Sequence, residues 1–190
     1  MVLIYMKRIF IAIKVNPEEE LLRMFSSLKA VLGAENIKWV DPANIHLTLS
    51  FLGNTEEGRI KVLNSILKEE CSGFGEFDFV LAGTGIFKNY WDPRVIWIGF
   101  RSSERLAMLY NIITEGLKLS GFEIEDRQFK PHITLGRIKS IKETEILKTV
   151  LERYRDHQFQ IVHVNEVILF ESILLQTGPI YKSLGNFCLT

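Results

Sequence analysis

Two short segments of the sequence share one pattern, and both alternate polar and apolar residues in the manner of a β-strand. Residues 45–52 read Ile-His-Leu-Thr-Leu-Ser-Phe-Leu, and residues 132–135 read His-Ile-Thr-Leu. Successive side chains of a strand point to opposite faces, so each segment presents a histidine and a threonine on one face and apolar residues on the other. The fold must therefore bury one face of both strands and leave an imidazole beside a hydroxyl on the other.

The elements around these segments predict an α+β fold with many antiparallel connections. In each half of the chain a strand and a long helix precede the histidine strand, and a further helix follows it. This duplication predicts two facing lobes related by pseudo-two-fold symmetry, within a single domain that spans residues 1–190. Predicted strands cover residues 8–15, 37–40, 45–52, 77–87, 94–100, 130–137, 159–171 and 180–189, and predicted helices cover about residues 17–33, 54–70, 104–120 and 142–154, the third capped by Ser102 and Ser103.

Composition limits the kinds of partner and compartment. The 23 Lys and Arg residues balance 23 Asp and Glu residues, which argues against a general basic surface for long nucleic acid but allows a short anionic substrate. Cys71 and Cys188 have no metal-binding or disulfide-framework spacing, which favours a reducing cytoplasm. No apolar run approaches the roughly 20 residues that span a bilayer, so we expect no membrane partner.

Two histidine-threonine pairs suit phosphoryl transfer. An imidazole titrates near neutral pH, so one histidine can accept a proton while the other donates one. A threonine hydroxyl can donate a hydrogen bond to a non-bridging phosphate oxygen, where negative charge is held in the transition state. His46 and His132 are therefore candidate catalytic residues, and Thr48 and Thr134 are candidate substrate ligands.

Other uses of these residues stay open on the sequence alone. A zinc site is one, although neither segment carries a third ligand at a spacing such as His-Glu-x-x-His. Serine hydrolysis is a weaker one, because no Gly-x-Ser-x-Gly turn is present. A single His-x-Thr is ordinarily a solvated strand face, but two of the four histidines share the pattern, which argues against coincidence. His157 and His163 lack a threonine partner and are interpreted as ordinary strand or loop residues.

Five segments carry a family resemblance: Arg8-Ile-Phe-Ile-Ala-Ile, His46-Leu-Thr-Leu-Ser-Phe-Leu-Gly53, Arg94-Val-Ile-Trp-Ile-Gly99, Phe129-Lys-Pro-His-Ile-Thr-Leu-Gly-Arg137 and Gly178-Pro-Ile-Tyr181. In them the chain resembles the 2H phosphoesterases, and particularly the RNA 2',3'-cyclic phosphodiesterases historically called 2'-5' RNA ligases. The resemblance implies a bilobal fold in which two antiparallel sheets, flanked by helices, line a central cleft. It also implies hydrolysis of 2',3'-cyclic phosphates to 2'-phosphates without a cofactor or metal.

The same resemblance implies partners and roles. The partners would be RNA ends, tRNA-derived ones among them, or nucleoside 2',3'-cyclic phosphates, bound by a cytoplasmic monomer. His46 would protonate the 3'-oxygen, His132 would activate water, and Arg137 would bind phosphate. Strict alternation places Arg137 on the face opposite His132, and either a bulge or a strand end near Gly136 could bring it to the face of His132. Phe51 stands at the matching position of the first motif, which suggests that the lobes contribute unequally to phosphate binding.

Several questions stay open at this point. Whether ligation to a 2'-5' linkage matters is one, and a module that binds RNA ends or nucleotides without turning them over is the alternative function. Trp97 is predicted to be a core residue, and Tyr181 and Phe129 are predicted to pack, with base stacking open for both. Lys130 and Arg127 precede the second motif and could attract RNA phosphates.

Overall fold

The computed structural model describes residues 5–101, 104–124, 128–176 and 178–190; Ser102, Ser103 and Arg127 lie outside these ranges. The described part of the chain forms nine strands and four α-helices. In chain order these are β1 (Met6–Lys14), α1 (Glu19–Val31), β2 (Asn36–Trp39), β3 (His46–Glu56), α2 (Ile60–Cys71), β4 (Phe77–Phe87), β5 (Val95–Phe100), α3 (Glu104–Leu119), β6 (Ile133–Ser140), α4 (Thr144–Glu152), β7 (Gln158–Val164), β8 (Glu166–Leu175) and β9 (Gly178–Cys188). None of the described helices is long and apolar enough to cross a membrane.

The strands form one antiparallel sheet. Its order is β7-β4-β5-β6-β3-β1-β8-β9, and β2 also pairs with β6. The predicted α+β class and its antiparallel connections are confirmed. The two predicted sheets are joined into one, because β3 and β6 pair through Leu47 and Ile133. The two histidine strands therefore lie side by side at the middle of the sheet.

The sheet is approximately symmetric about this joint. On one side β1 pairs with β3 and β8 with β1; on the other, β5 pairs with β6 and β4 with β5. The order β1, α1, β3, α2 along the chain is matched by β5, α3, β6, α4. The predicted pseudo-two-fold relation is confirmed. It brings the two motifs to the centre from opposite sides.

The prediction of a single strand over residues 159–171 is wrong, because these residues form two strands in different halves of the sheet. β7 pairs with β4, whereas β8 pairs with β1 and β9. The chain changes partner at Asn165, whose carbonyl accepts a hydrogen bond from the Leu189 N–H at 2.8 Å. Both flanking stretches favour β structure equally, so composition gives no sign of the break.

The buried apolar residues of all four described helices belong to the main core, on the covered face of the sheet, whereas a second cluster on the other face consists of strand residues. The main core lies on the covered face, where β1 contributes the fully buried Ile9, Ile11 and Ile13. Burying one such side chain stabilises a fold by about 1.5–3 kcal/mol. The opposite face, called the open face below, carries a small second cluster that consists of Phe10, Ala12, Ile168 and Phe170, with Tyr181 packed against it.

Candidate active site

Both motifs present their polar side chains on the open face. In each motif the histidine and the threonine are half-buried, whereas the intervening apolar residue is fully buried in the main core. His46 is the first residue of β3, and His132 directly precedes β6. The register supports the same assignment, because Thr48 lies opposite Ala12 of the second cluster. Thr134 lies opposite Trp97, which alternates with the core residues Ile96 and Ile98. The alternation predicted from the sequence therefore holds in both strands.

The pairing of β3 with β6 brings the two histidine motifs together. Leu47 lies opposite Ile133 in an antiparallel register, which is the one pairing between these strands within the described residues. Each of these two residues directly follows a histidine, so the motifs meet at the joint of the two lobes. The two histidines are close enough there for the charge of His132 to lower the pKa of His46.

The two imidazoles are held in the same way. His46 Nδ1 lies 2.7 Å from the carbonyl oxygen of Asn44, and His132 Nδ1 lies 2.8 Å from that of Lys130. A carbonyl can only accept, so Nδ1 donates in both cases. The neutral imidazole then carries its proton on Nδ1 and leaves Nε2 as an acceptor. Each ring thus offers Nε2 for proton transfer.

A β-bulge in β6 turns Arg137 toward the histidines. The pairing of β5 with β6 shifts between Trp97, opposite Thr134, and Ile96, opposite Gly136. The extra residue is Leu135, whose side chain is buried in the core. Gly136 is also buried, and a Cβ atom added to it would point toward Ile37 and Trp39, which pack against that core. Arg137, which is exposed, then returns to the face of Thr134. Of the two alternatives considered near Gly136, a bulge or a strand end, the structure has the bulge.

A second bulge occupies the equivalent place in β3. The pairing of β1 with β3 shifts past Leu49, and both Leu49 and Ser50 are buried. Phe51 therefore reaches the open face, opposite Phe10, at the position that Arg137 holds in β6. The guanidinium carbon of Arg8, on β1, lies 4.9 Å from the centre of the Phe51 ring. The first lobe thus has an aromatic ring where the second has a cation, with an arginine above that ring.

Burial and positive charge lower the pKa of both histidines. For His46 the largest cause is burial; the hydrogen bond to Asn44 opposes it, and the charges of Arg137 and His132 lower the pKa further. For His132 burial again acts first, the hydrogen bond to Lys130 opposes it, and Arg137 lowers the pKa. A like charge disfavours the imidazolium form, so Arg137 acts on both rings. The two histidines and Arg137 therefore share one electrostatic environment.

Aromatic rings surround each histidine, and the sequence did not single out most of them. The His46 ring centre lies 5.0 Å from that of Phe10 and 5.2 Å from that of Tyr181. Phe170 stacks on Phe10 at 5.2 Å. In the other lobe Phe87 meets His132 edge-on at 4.5 Å. The alternation of side chains along β1 could have predicted that Phe10 lies on the histidine face. The contacts of Phe87 and Phe170 could not be predicted in this way, because they depend on pairings between strands that are distant in sequence.

Trp97 was predicted to be a core residue, and that prediction is wrong. It is half-buried on the open face, where its indole covers Gly85 and Gly99. A Cβ atom at Gly85 would lie 2.4 Å from the ring, so the glycine makes room for the indole. Large aromatic residues occupy either face of a strand when small residues lie beneath them, and the local pattern does not distinguish the two.

The remaining residues named from the sequence lie around the second motif. Phe129 stacks on Tyr110 with ring centres 3.8 Å apart, as its prediction of packing requires. Lys130 contributes its carbonyl to His132. Beside this motif is a cavity of about 680 Å³, whose lining includes Trp97, Phe129 and Pro131. The second lobe thus has an open depression next to its histidine.

The other two histidines lie away from the site on the surface. His157 Nε2 is 2.6 Å from Glu20, and His163 bridges Asp78 at 2.7 Å and Glu76 at 2.9 Å. Both are exposed, in agreement with their interpretation as ordinary strand or loop residues. No group of three or more His, Cys, Asp or Glu side chains within the described ranges is placed to hold a metal ion.

Comparison with known sequences gives matches over nearly the whole chain. A family model described as LigT-like phosphoesterase matches residues 11–97 and 99–181. The RNA 2',3'-cyclic phosphodiesterase of Archaeoglobus fulgidus is 36% identical over 180 residues, which cover 95% of this chain and 99% of that protein. The RNA 2',3'-cyclic phosphodiesterase of Thermotoga maritima is 36% identical over 181 residues, 93% of this chain and 92% of that protein.

Solved structures show the same fold. The protein TT0787 of Thermus thermophilus superposes with a TM-score of 0.78 at 27% identity, over 96% of this chain and 97% of that one. E. coli LigT in complex with 3'-AMP superposes with a TM-score of 0.75 at 24% identity, over 98% of this chain and 99% of that one. The fold of this chain is therefore one already seen in other proteins.

Proposed function

This chain belongs to the LigT-like phosphoesterase family and is a phosphodiesterase, and on that premise we propose that it hydrolyses RNA 2',3'-cyclic phosphate ends to 2'-phosphates. The observation that carries the proposal is the matched placement of His46 and His132. Each is held at Nδ1 by a carbonyl, and each directly precedes one of the paired residues Leu47 and Ile133, which join the two motifs. The names of the relatives from Archaeoglobus fulgidus and Thermotoga maritima support the choice of substrate.

The proposed reaction uses the two Nε2 atoms in opposite senses. His132 removes a proton from water as the water oxygen bonds to phosphorus. The bond from phosphorus to the 3'-oxygen breaks, and His46 supplies the proton that makes the 3'-hydroxyl. Attack and departure in line require the base and the acid on opposite sides of the phosphate. One histidine from each lobe meets that demand.

The phosphate is held by Thr48, Thr134 and Arg137 in this proposal. Each threonine hydroxyl donates to a non-bridging oxygen, and the guanidinium offsets the negative charge that accumulates there. Arg137 is supported by the bulge that turns it to the histidine face and by its effect on the pKa of both rings. These groups can hold the charge without a cofactor or divalent ion.

The proposal also includes a cytoplasmic location and a monomeric state. Cys71 and Cys188 are free thiols, which supports a reducing cytoplasm. Because both motifs come from one chain, a monomer contains all the proposed groups, and size-exclusion chromatography with light scattering would test that state. Ligation to a 2'-5' linkage, and tRNA-derived ends as substrates, are further activities to be tested on the same site.

Incubation of the protein with an RNA oligonucleotide that ends in a 2',3'-cyclic phosphate tests the proposal. We expect turnover to a 2'-phosphate, identified by phosphorus NMR, at a rate that excess chelator leaves unchanged. A protein that binds the oligonucleotide but never opens the ring would be the non-catalytic module. If chelator abolished turnover and zinc or magnesium restored it, the mechanism would depend on a metal ion.

A further inference from the structure

Arg8 is a second arginine on the open face. It lies two residues before Phe10 on β1 and shares its face, about 7 Å farther along the strand. The Phe10 ring contacts His46, whereas Arg8 lies over Phe51. Arg8 is solvent-exposed, and the structure shows no hydrogen bond or ion pair from its side chain to the described residues. Its N–H donors are therefore available to a ligand.

Arg8 and Arg137 both lie near Tyr181, but only Arg137 also acts on the histidines. Burial raises the pKa of Tyr181, and the charges of Arg137 and Arg8 both oppose that rise. Arg137 also lowers the pKa of both histidines, whereas Arg8 is not among the causes for either ring. Arg137 is the arginine assigned above to the reacting phosphate. Arg8 lies one step farther out, beyond the ring of Phe10.

The chemistry of an RNA end indicates which phosphate a second cation can bind. When the 2' and 3' oxygens are closed in a cyclic phosphate, the remaining phosphates of the strand all lie on the 5' side. The nearest is the phosphodiester that joins the terminal nucleotide to its neighbour. A guanidinium held over an aromatic ring keeps its N–H donors for phosphate oxygens, which it can bind in a bidentate manner.

We propose that Arg8 binds this 5'-side phosphodiester, so that the enzyme prefers RNA ends of two or more nucleotides to nucleoside 2',3'-cyclic phosphates. The inference rests on the proposed function and adds its substrate class. It also accounts for the unequal lobes. Phe51, in the position equivalent to Arg137, serves as the platform for an arginine that recognises a different phosphate.

Three substrates test the proposal: cytidine 2',3'-cyclic phosphate, a cytidine dinucleotide with a 2',3'-cyclic end, and the same dinucleotide with an uncharged methylphosphonate linkage. For the natural protein, kcat/KM should be highest on the charged dinucleotide. Arg8→Gln should lower kcat/KM on that substrate by about 10- to 100-fold, the usual effect of losing a hydrogen bond to a charged group. The ratio between the charged and uncharged dinucleotides should fall by the same factor.

Two further variants make the result specific. Arg8→Lys should restore part of the preference, because a point charge replaces the fork of the guanidinium. Lys7→Gln removes a charge from the neighbouring residue, which pairs with Glu57, and should leave the ratio unchanged. An equal loss on all three substrates, or no loss on the charged dinucleotide, would overturn the role of Arg8. Failure of the natural protein to open any of them would instead overturn the proposed function.

Discussion

Leu47 and Ile133 face each other across the joint of β3 and β6, and both side chains are fully buried. Each is the residue that follows a catalytic histidine of the proposed mechanism. The pair fixes the register of the two histidine strands, and a slip by one residue would turn every polar side chain of a motif into the core. The hydrophobic core and the geometry of the site therefore depend on the same contact.

Leu47→Ala should lower the free energy of unfolding by about 2–5 kcal/mol, because a fully buried leucine leaves a cavity that its neighbours fill only partly. Urea denaturation followed by circular dichroism measures the change. Leu119→Ala is the matched control, since Leu119 is 83% exposed, and it should shift the free energy by less than about 0.5 kcal/mol. Similar small effects of both substitutions would show that the joint is not a packed contact.

His46→Ala and His132→Ala should each lower turnover of a cyclic-phosphate RNA end by about 10²- to 10⁴-fold, the usual contribution of a general acid or base. His157→Ala and His163→Ala provide internal controls, because both rings are exposed and away from the site. Steady-state rates and circular dichroism should be recorded for all four variants. Near-normal rates for a folded His46 or His132 variant would eliminate paired acid and base catalysis.

The pH dependence of kcat/KM should be a bell whose two limbs both lie below the ordinary histidine pKa of about 6.5, because burial and Arg137 lower the pKa of each ring. The limbs belong to the coupled pair, not to single residues. In Arg137→Gln the positive charge is lost, the imidazolium form becomes easier to make, and both limbs should move to higher pH. Arg23→Gln, on the exposed side of α1, is the control that should not move them. If both limbs stay at the same pH in Arg137→Gln, Arg137 lies too far from the rings to change their pKa.

A substrate with a different leaving group can distinguish the roles of the two histidines. A substrate with a better leaving group at the 3' position needs less help from the acid, so His46→Ala should lose much less activity on it than on RNA. His132→Ala should stay equally impaired on both, because water must still be activated. The opposite pattern would exchange the roles, and equal defects on both substrates in both variants would argue against any division.

A feature of the fold or the site can be predicted from this sequence when it depends on neighbouring residues in the chain. Alternation along residues 45–52 and 132–135 is local, and it places His46 and Thr48, as well as His132 and Thr134, on one face in the structure. Arg137 required a bulge, and the sequence offers only the small residue Gly136 as a hint of one. The bulge itself depends on how β5 pairs with β6.

Features that depend on distant partners escaped prediction. The helix expected to begin at Pro17 starts at Glu19, because the amide of buried Gln160 accepts from the Glu18 N–H at 2.9 Å and donates to the Asn16 carbonyl. The merging of two sheets into one depends on a single pairing between β3 and β6 within the described residues. The placement of Trp97 depends on Gly85 of the neighbouring strand. None of these partners is recognisable from local composition.

The lowered pKa of both imidazoles makes anion binding and proton uptake a linked equilibrium. Near neutral pH the empty site holds two mostly neutral rings beside a guanidinium, and an arriving phosphate favours the imidazolium form, so complex formation should draw a proton from the buffer. Calorimetric binding heats of the 2'-phosphate product should then vary with the ionisation enthalpy of the buffer. Product retention should weaken as the medium becomes more alkaline, which would make the departure of product, as well as the chemical step, sensitive to pH.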